Sequence, residues 1–253
     1  MEKPLLEMKD IHKWFGKVHA LKGVSIKIWP GEIVGLVGDN GAGKSTLIKI
    51  LAGVIHKDKG KIYWNGEEVE ISSVQDSRRL GIETLFQEQS VIGTLSVMRN
   101  IFLGREKVKS WGLMKILDDK KMGEESMNLV KGLGLNIRSP NQEVRFCSGG
   151  EQQGVAISRA IYFKTNLVIL DEPCRALGIK GVNQVSNFVR KLGDEKIGVI
   201  WITHSLHLVY PVASRFIVLS RGEKTFDVQK KDTSFDELQA MMAKIPSKND
   251  LVD

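Results

Sequence analysis

Cysteine is scarce in this chain. Cys147 and Cys174 are the only two, too few for a disulfide framework and at no metal-binding spacing, which points to a reducing compartment. No apolar run approaches the ~18 residues of a membrane span, and the opening Met1-Glu2-Lys3-Pro4 holds no apolar signal-peptide core. Blocks of about five like charges, internal repeats and low-complexity tracts are also missing. The expectation is a protein that folds in the cytoplasm and reaches a membrane only by docking.

What is present is ordinary in amount. The chain has 253 residues, 42% apolar and 26% charged, a globular balance that argues against disorder. That length holds one large domain or two modest ones with a sizeable core. Lysine plus arginine total 37 against 30 acidic residues, a net charge of +7. The cations are scattered among acids, so the expectation is a solvated surface with a basic ligand site, and no nucleic-acid partner.

Apolar periodicity divides the chain into strands and helices. Val24, Ile26 and Ile28 alternate with polar residues up to Pro30-Gly31, and Ile33–Val37 is a short apolar strand entering a glycine-rich turn. Leu47, Ile48, Ile50 and Leu51 then recur at helical spacing, with Gly53 as the stop. Asn65-Gly66 between Ile62, Trp64 and Val69, Ile71 is a hairpin signal. Helical stretches at Met98–Leu103, Asp118–Leu133 and Glu151–Ile161 describe a helical subdomain of about residues 90–163, inserted in a core of about 1–89 and 164–253. From Leu167 strands return at Leu167–Leu170, Gly198–Thr203 and Phe216–Leu219. Between the first two lies a helix with Val182, Val185, Phe188, Val189 and Leu192 on one face. Ser234 and Glu237 open a last helix as a capping box. The fold class is α/β, with a mostly parallel sheet.

The strongest chemical signal is Gly38-Asp39-Asn40-Gly41-Ala42-Gly43-Lys44-Ser45-Thr46. It fits G-x-x-x-x-G-K-[ST] between a strand and a helix. Glycines let the backbone curl so that its N–H groups face phosphate oxygens, and the helix start adds partial positive charge. Lys44 reaches the β- and γ-phosphates and the Ser45 hydroxyl ligates Mg²⁺. The motif predicts a nucleoside-triphosphate site.

A second signal is Leu167-Val168-Ile169-Leu170-Asp171-Glu172, a buried strand that delivers two carboxylates at its C-terminal end, where open α/β sheets bind ligands. Asp171 suits Mg²⁺, and Glu172 suits a general base on an attacking water. A third is Ser148-Gly149-Gly150-Glu151-Gln152, a serine and two glycines at a helix start, which can form an anion nest but by itself reads first as an ordinary cap.

Together these residues resemble the ATP-binding subunits of ABC transporters, over about Leu5 to Met242. Ser148-Gly149-Gly150 matches the core of that family's signature loop and lies 23 residues before Asp171. The resemblance implies a P-loop NTPase core with an N-terminal antiparallel β subdomain and an inserted helical one. It also implies two subunits, most simply a homodimer, that sandwich ATP and Mg²⁺. Phe15, 29 residues ahead of Lys44, resembles the aromatic that stacks on adenine, with Trp14 as its neighbour. Gln87 resembles the glutamine that approaches Mg²⁺ and faces the membrane partner, and His204 the switch histidine at the γ-phosphate. His12, His19, His56 and His207 have no such counterpart. A membrane permease is implied, docking near Gln87–Arg105, with an extracellular or periplasmic solute-binding protein behind it.

Gly93-Thr94-Leu95-Ser96-Val97, Asn100–Glu106, Gly154–Ala160 and Ala176-Leu177-Gly178-Ile179-Lys180 are similar to the ATPases of bacterial ribose- and fructose-type carbohydrate importers. A nucleotide-binding regulatory subunit with weak hydrolysis and a soluble ABC ATPase acting on nucleic acid are the alternatives. The signature departs from the family pattern at Cys147, where leucine is usual, and at Glu151, where glutamine is usual. Gly178 replaces an aspartate. Glu151 sets negative charge near a triphosphate and is expected to slow closure of the two subunits. Glu151→Gln should therefore raise ATP-driven dimerisation and turnover about two- to fivefold, the size of one screened charge. An unchanged rate and unchanged dimerisation would remove the charge argument.

Overall fold

The computed structural model describes residues 3–86, 91–111, 114–163, 165–175 and 177–243. In chain order the elements begin with β1 (Leu6–Phe15), β2 (Val18–Ile28), β3 (Ile33–Val37), α1 (Lys44–Leu51), β4 (Lys59–Trp64), β5 (Glu67–Val69), α2 (Val74–Arg79) and β6 (Ile82–Leu85). Then come α3 (Val97–Ile101), β7 (Val108–Trp111), β8 (Met114–Leu117), α4 (Asp119–Gly132) and α5 (Gly149–Tyr162). The chain continues with β9 (Leu167–Asp171), α6 (Ile179–Asp194), β10 (Gly198–Thr203), α7 (Leu206–Val209), β11 (Arg215–Ser220), β12 (Glu223–Gln229) and α8 (Phe235–Ala243). They form two compact units. The first comprises Met1–Thr84, Thr165–Glu172 and Val189–Asp253, the second Leu85–Lys164 and Pro173–Phe188.

The first unit holds two sheets. One is antiparallel, in the order β2-β1-β4-β5, and the other runs β12-β11-β3-β10-β9-β6. In the second sheet β11, β3, β10 and β9 are parallel neighbours, while β12 runs antiparallel to β11. The central strands are apolar along their length because both faces are covered, as parallel sheets require; all six residues of β10 are buried. Gly35 lets β3 accept its neighbours closely. A Cβ there would stand 2.9 Å from the Phe216 ring of β11 and 3.1 Å from Val209 of α7.

Register is what positions the chemistry. Thr203 pairs with Val37 and Ile202 with Asp171, so β3, β10 and β9 end within a residue of one level. Ligands of open α/β sheets bind at such carboxyl ends. The Asn65-Gly66 turn forms as the sequence implies, with φ of 52° and 88°, joining β4 to β5. The capping box of α8 also forms: Glu237 N–H donates to Ser234 Oγ at 3.2 Å and Ser234 N–H to Glu237 Oε2 at 2.8 Å.

The second unit packs α3, α4 and α5 against one another. Phe102 meets Tyr162 edge-on at 4.7 Å between centroids. Asn100, buried, ties down the loop before α3: its Nδ2 donates to the carbonyls of Ile92, Leu95 and Ser96, and its Oδ1 accepts from Ile92 N–H. The stretch expected to be helical also holds an antiparallel hairpin, β7 with β8. Each strand has four residues, too few for a period-2 pattern to stand out.

Arg215 secures the edge that leads to the site. Buried on β11, it donates to both carboxylate oxygens of Asp227 on β12 (2.6 and 2.9 Å), to Glu32 at 3.2 Å and to the Lys27 carbonyl of β2 at 3.1 Å. Its guanidinium also lies 5.0 Å from the centre of the Trp29 ring. Arg215→Ala leaves Glu32 and Asp227 without their main counter-charge and is expected to cost about 3–5 kcal/mol in urea unfolding. A loss below about 1 kcal/mol, the worth of a surface pair, would remove Arg215 from that structural role.

Candidate functional site

The loop Gly38–Gly43 leaves β3 and enters α1 through backbone conformations that side chains resist. Gly38 has φ of 145°, and a Cβ on it would stand 2.1 Å from the Leu219 carbonyl of β11. Gly43, the cap of α1, has φ of 102°, and a Cβ on it would stand 2.8 Å from Leu21 and 3.0 Å from the Ala20 carbonyl, both of β2. Glycine alone meets both demands. The β11–β12 turn braces the loop from outside: Gly222 N–H donates to the Ala42 carbonyl at 3.1 Å, and Lys22 N–H to the Gly222 carbonyl at 2.8 Å.

A cavity of about 520 Å³ opens above this loop. Its floor is Asp39 to Thr46, and its walls come from Phe15, Val18, His19, Ala20 and Lys22 of the β1–β2 hairpin and from Ser220 and Arg221 of the β11–β12 turn. Lys44 is buried and donates from Nζ to the Gly38 carbonyl and to the Asp39 carbonyl, the latter at 2.9 Å. Burial pushes its ammonium below the ordinary lysine range, against the opposing pull of the Glu172, Asp171 and Asp39 charges.

The carboxylates stand at the end of β9. Burial raises Asp171 above the usual carboxylate range and the charge of Glu172 adds to it, while Lys44 and Lys49 pull the other way. Glu172 has φ of 49°, rare outside glycine. Its Oε1 accepts from the backbone N–H of His204 at 2.9 Å and from the His204 ring at 2.7 Å, and its Oε2 accepts from Thr203 Oγ1 at 3.0 Å. An ionised carboxylate only accepts, so His204 Nδ1 carries a proton and its Nε2 is left to face solvent or ligand. The sequence brings Glu172 and His204 together only through the pairing of β9 with β10.

Ser148, Gly149 and Gly150 lie in the second unit, at the start of α5. Ser148 and Glu151 form a capping box: Ser148 N–H donates to Glu151 Oε2 at 2.8 Å and Glu151 N–H to Ser148 Oγ at 3.3 Å. The Glu151 carboxylate thus has a local task, the one that the S-x-x-E spacing of Ser148 and Glu151 signals. A Cβ on Gly149 would stand 2.5 Å from Leu177, and one on Gly150 2.1 Å from Gln184, so both glycines admit the Leu177–Gln184 stretch. Around Gly178 a Cβ would meet nothing within 4 Å among the described residues. Cys147 is buried and accepts from Gln142 Nε2; burial, then the charge of Glu151, pushes its thiol up.

Of the residues expected from sequence, Phe15 lines the cavity, half exposed. Trp14 instead stacks on His19 at 4.0 Å, outside the described cavity wall. Gln87 lies outside the described residues. Val18, His19, Lys22 and Arg221 were not anticipated. Val18 pairs directly with Phe15 across the Gly16-Lys17 turn, so reading that turn as a hairpin would have found it. Arg221 comes from a turn remote in sequence and leaves no local signal.

Asp171 carries a charge that its surroundings oppose, so the folded state gains as that charge is removed. Its raised pKa means that the cost is absent in acid and present once pH rises above the folded-state value. Asp171→Asn is expected to raise the melting temperature at neutral pH, by about 2–4 °C per kcal/mol relieved, and the gain should shrink as pH falls. Melting curves from pH 4 to 8 check this; a lower melting temperature at pH 7 contradicts it.

Comparison with known proteins places these features in a family. The profile described as ABC transporter matches residues 21–175, more than half of the chain. The xylose/arabinose import ATP-binding protein XylG of Sulfolobus acidocaldarius is 43% identical over 94% of this chain and 93% of its own length. The ribose import ATP-binding protein RbsA of Clostridium tetani is 39% identical over 95% of this chain, which spans only 47% of that relative. Among solved structures, the dimeric post-hydrolysis state of the ATP-binding cassette MJ0796, bound to ADP and Pi, matches with a TM-score of 0.72 and 25% identity, covering 91% of this chain and all of that one. The chain therefore belongs to the ABC transporter family, among its ATP-binding ATPases.

Proposed function

We propose that this chain hydrolyses ATP to drive import of a monosaccharide through a membrane permease. The observation that carries the reading is the meeting of three strand ends: Lys44 buried behind β3, Asp171 and Glu172 at β9, and His204 at β10 bonded to Glu172. Relatives named for xylose/arabinose and ribose import support the cargo class.

The phosphates sit on the backbone N–H groups of Gly38–Thr46, with Lys44 reaching the terminal ones. Ser45 and Asp171 offer one hydroxyl and one carboxylate, a small set of hard oxygens that suits Mg²⁺, which keeps the rest of its shell for water and phosphate. Gln87 is a further candidate ligand. The bound ion would polarise the phosphate oxygens and neutralise their charge. Glu172 takes the proton of the attacking water, held in place by Thr203 and His204, while His204 presents its other ring nitrogen to the γ-phosphate. Ser148, Gly149 and Gly150 serve the ATP of a second copy, and the dimeric cassette MJ0796 is consistent with such pairing. Phe15 takes the adenine.

The helical subdomain of about residues 90–163 passes the motion to the permease, which docks around Gln87–Arg105 on the cytoplasmic face of the membrane. A solute-binding protein delivers the sugar from outside. No described helix is long and apolar enough to cross a membrane.

The test is Mg-ATP hydrolysis against protein concentration, for the wild type and Glu172→Gln. The wild-type rate should rise faster than linearly, as a closing pair requires. The variant should keep ATP binding and lose turnover by about 10²–10⁴-fold, the worth of a general base. Wild-type turnover in the variant would exclude Glu172 as the base.

A further inference from the structure

The β1–β2 hairpin carries a pair of histidines that phosphate chemistry does not use. Trp14 on β1 pairs with His19 on β2, one step from the pair of Phe15 with Val18. Successive pairs point to opposite faces, so Trp14 and His19 stand across the sheet from Phe15 and Val18. Trp14 stacks on His19 at 4.0 Å between centroids, and His12 joins the stack 5.2 Å from His19 and within 17° of parallel. The two imidazoles meet nitrogen to nitrogen: His12 Nδ1 lies 3.0 Å from His19 Nε2.

The outer nitrogen of each ring has a partner of its own. The Asp10 carboxylate only accepts, so His12 Nε2 donates to Asp10 Oδ1, at 3.1 Å. Asp10 is held for this task in a left-handed conformation, φ 52°, by its N–H, which donates to Ser25 Oγ at 2.9 Å. Gly23 leaves the space: a Cβ there would stand 2.8 Å from Asp10 Oδ1 and 3.4 Å from His12 Nε2. The His19 ring bonds the Leu21 backbone in the sense that favours a protonated nitrogen, as a donor. Its Nε2 is turned to His12, so the donor is Nδ1. Neutral rings tied in this way aim two lone pairs at each other, which repel unless a cation joins them.

We propose that His12 Nδ1 and His19 Nε2 form a site for a borderline divalent transition metal of the Cu²⁺, Ni²⁺ and Zn²⁺ class, with Asp10 as the outer-shell positioning residue. Metal–nitrogen bonds of about 2.0–2.1 Å at right-angled or tetrahedral geometry set two nitrogens about 2.9–3.3 Å apart, and the observed 3.0 Å falls within that range. A ligating histidine ordinarily donates its other N–H to a carboxylate or a backbone carbonyl, and here both rings do so. Among the described residues no group of three His, Cys, Asp or Glu could hold a metal ion, so the chain supplies two ligands and water the rest. Both histidines are partly exposed, which leaves room for that water. Lys22 and Lys59 set positive charge near His19, so charge alone draws no cation in and bonding to nitrogen must. Mg²⁺ and Ca²⁺, which seek oxygen, gain nothing there.

Titration of the full chain, without a purification tag, with Cu²⁺, Ni²⁺, Zn²⁺ and Mg²⁺ near neutral pH tests this, by calorimetry and by tryptophan fluorescence. One equivalent of Cu²⁺ should bind most tightly, with Ni²⁺ and Zn²⁺ weaker. Cu²⁺ and Ni²⁺ should quench Trp14, Mg²⁺ should not, and Trp14→Phe should remove that quenching. Asp10→Gly keeps the backbone conformation without the carboxylate and should weaken Cu²⁺ about tenfold, the worth of an outer-shell partner. His12→Ala and His19→Ala should each cost more than that. Where circular dichroism shows that alanine disturbs the sheet, His12→Gln and His19→Gln, which keep bulk without an imidazole, should show the same loss. Wild-type protein that binds none of the three transition metals overturns the proposal and leaves a shared proton between the rings. Wild-type affinity in both histidine variants overturns it by placing the metal elsewhere. A loss in only one of them overturns the bridge, because a single surface histidine would then suffice.

Discussion

Hydrogen bonds between β3, β10 and β9 set the level at which three strands stop, and the site hangs from those three ends. Val37 leads into the phosphate loop, Asp171 into Glu172, and Thr203 into His204, with Thr203 opposite Val37 and Ile202 opposite Asp171. A slip of one residue in this ladder would turn every side chain of a strand to the other face. In β9 and β10 both faces are buried, so what resists the slip is the close packing of differently shaped side chains on each face. The core is thus what gives the polar site its precision.

The site works against the stability of the unit that holds it. Lys44 and Asp171 are both driven toward their neutral forms by burial, and Asp171 also by Glu172. Glu172 and Arg221, each with φ of 49°, occupy conformations that most residues avoid. Such features gather where chemistry requires fixed charge and fixed direction. Their cost is offset by the buried sheet and by ties such as the Arg215 cluster, which joins β11 to β12 and β2. The same edge supplies the Gly222 bond that steadies Ala42 in the phosphate loop.

The second unit presents its own glycines under different constraints. Gly149 and Gly150 are needed because Leu177 and Gln184 lie where their side chains would be, so this helix start is shaped by packing as well as by any ligand. Glu151, which replaces the usual glutamine, closes a capping box with Ser148. The side-chain carboxylate that looks like an obstacle in the sequence is also what holds the helix end in shape. Cys147 is a buried packing residue with its thiol pushed toward the neutral form.

Most of the architecture was legible in the sequence because its signals are local. The strand Ile33–Val37, the Asn65-Gly66 turn, the helix beginning at Lys44 and the Ser234–Glu237 cap each depend on residues within a few positions of one another. The hairpin β7–β8 was not legible, since four-residue strands carry too little pattern. By itself the sequence determined which groups are available: a glycine loop with a lysine, two carboxylates after an apolar strand, and a serine with two glycines at a helix start. Tertiary structure alone decided which of them meet. The grip of Thr203 and His204 on Glu172 and the brace from Gly222 to Ala42 both follow from long-range strand pairing. That pairing is set by the burial of whole sheets, so it leaves no mark on the few residues around each partner.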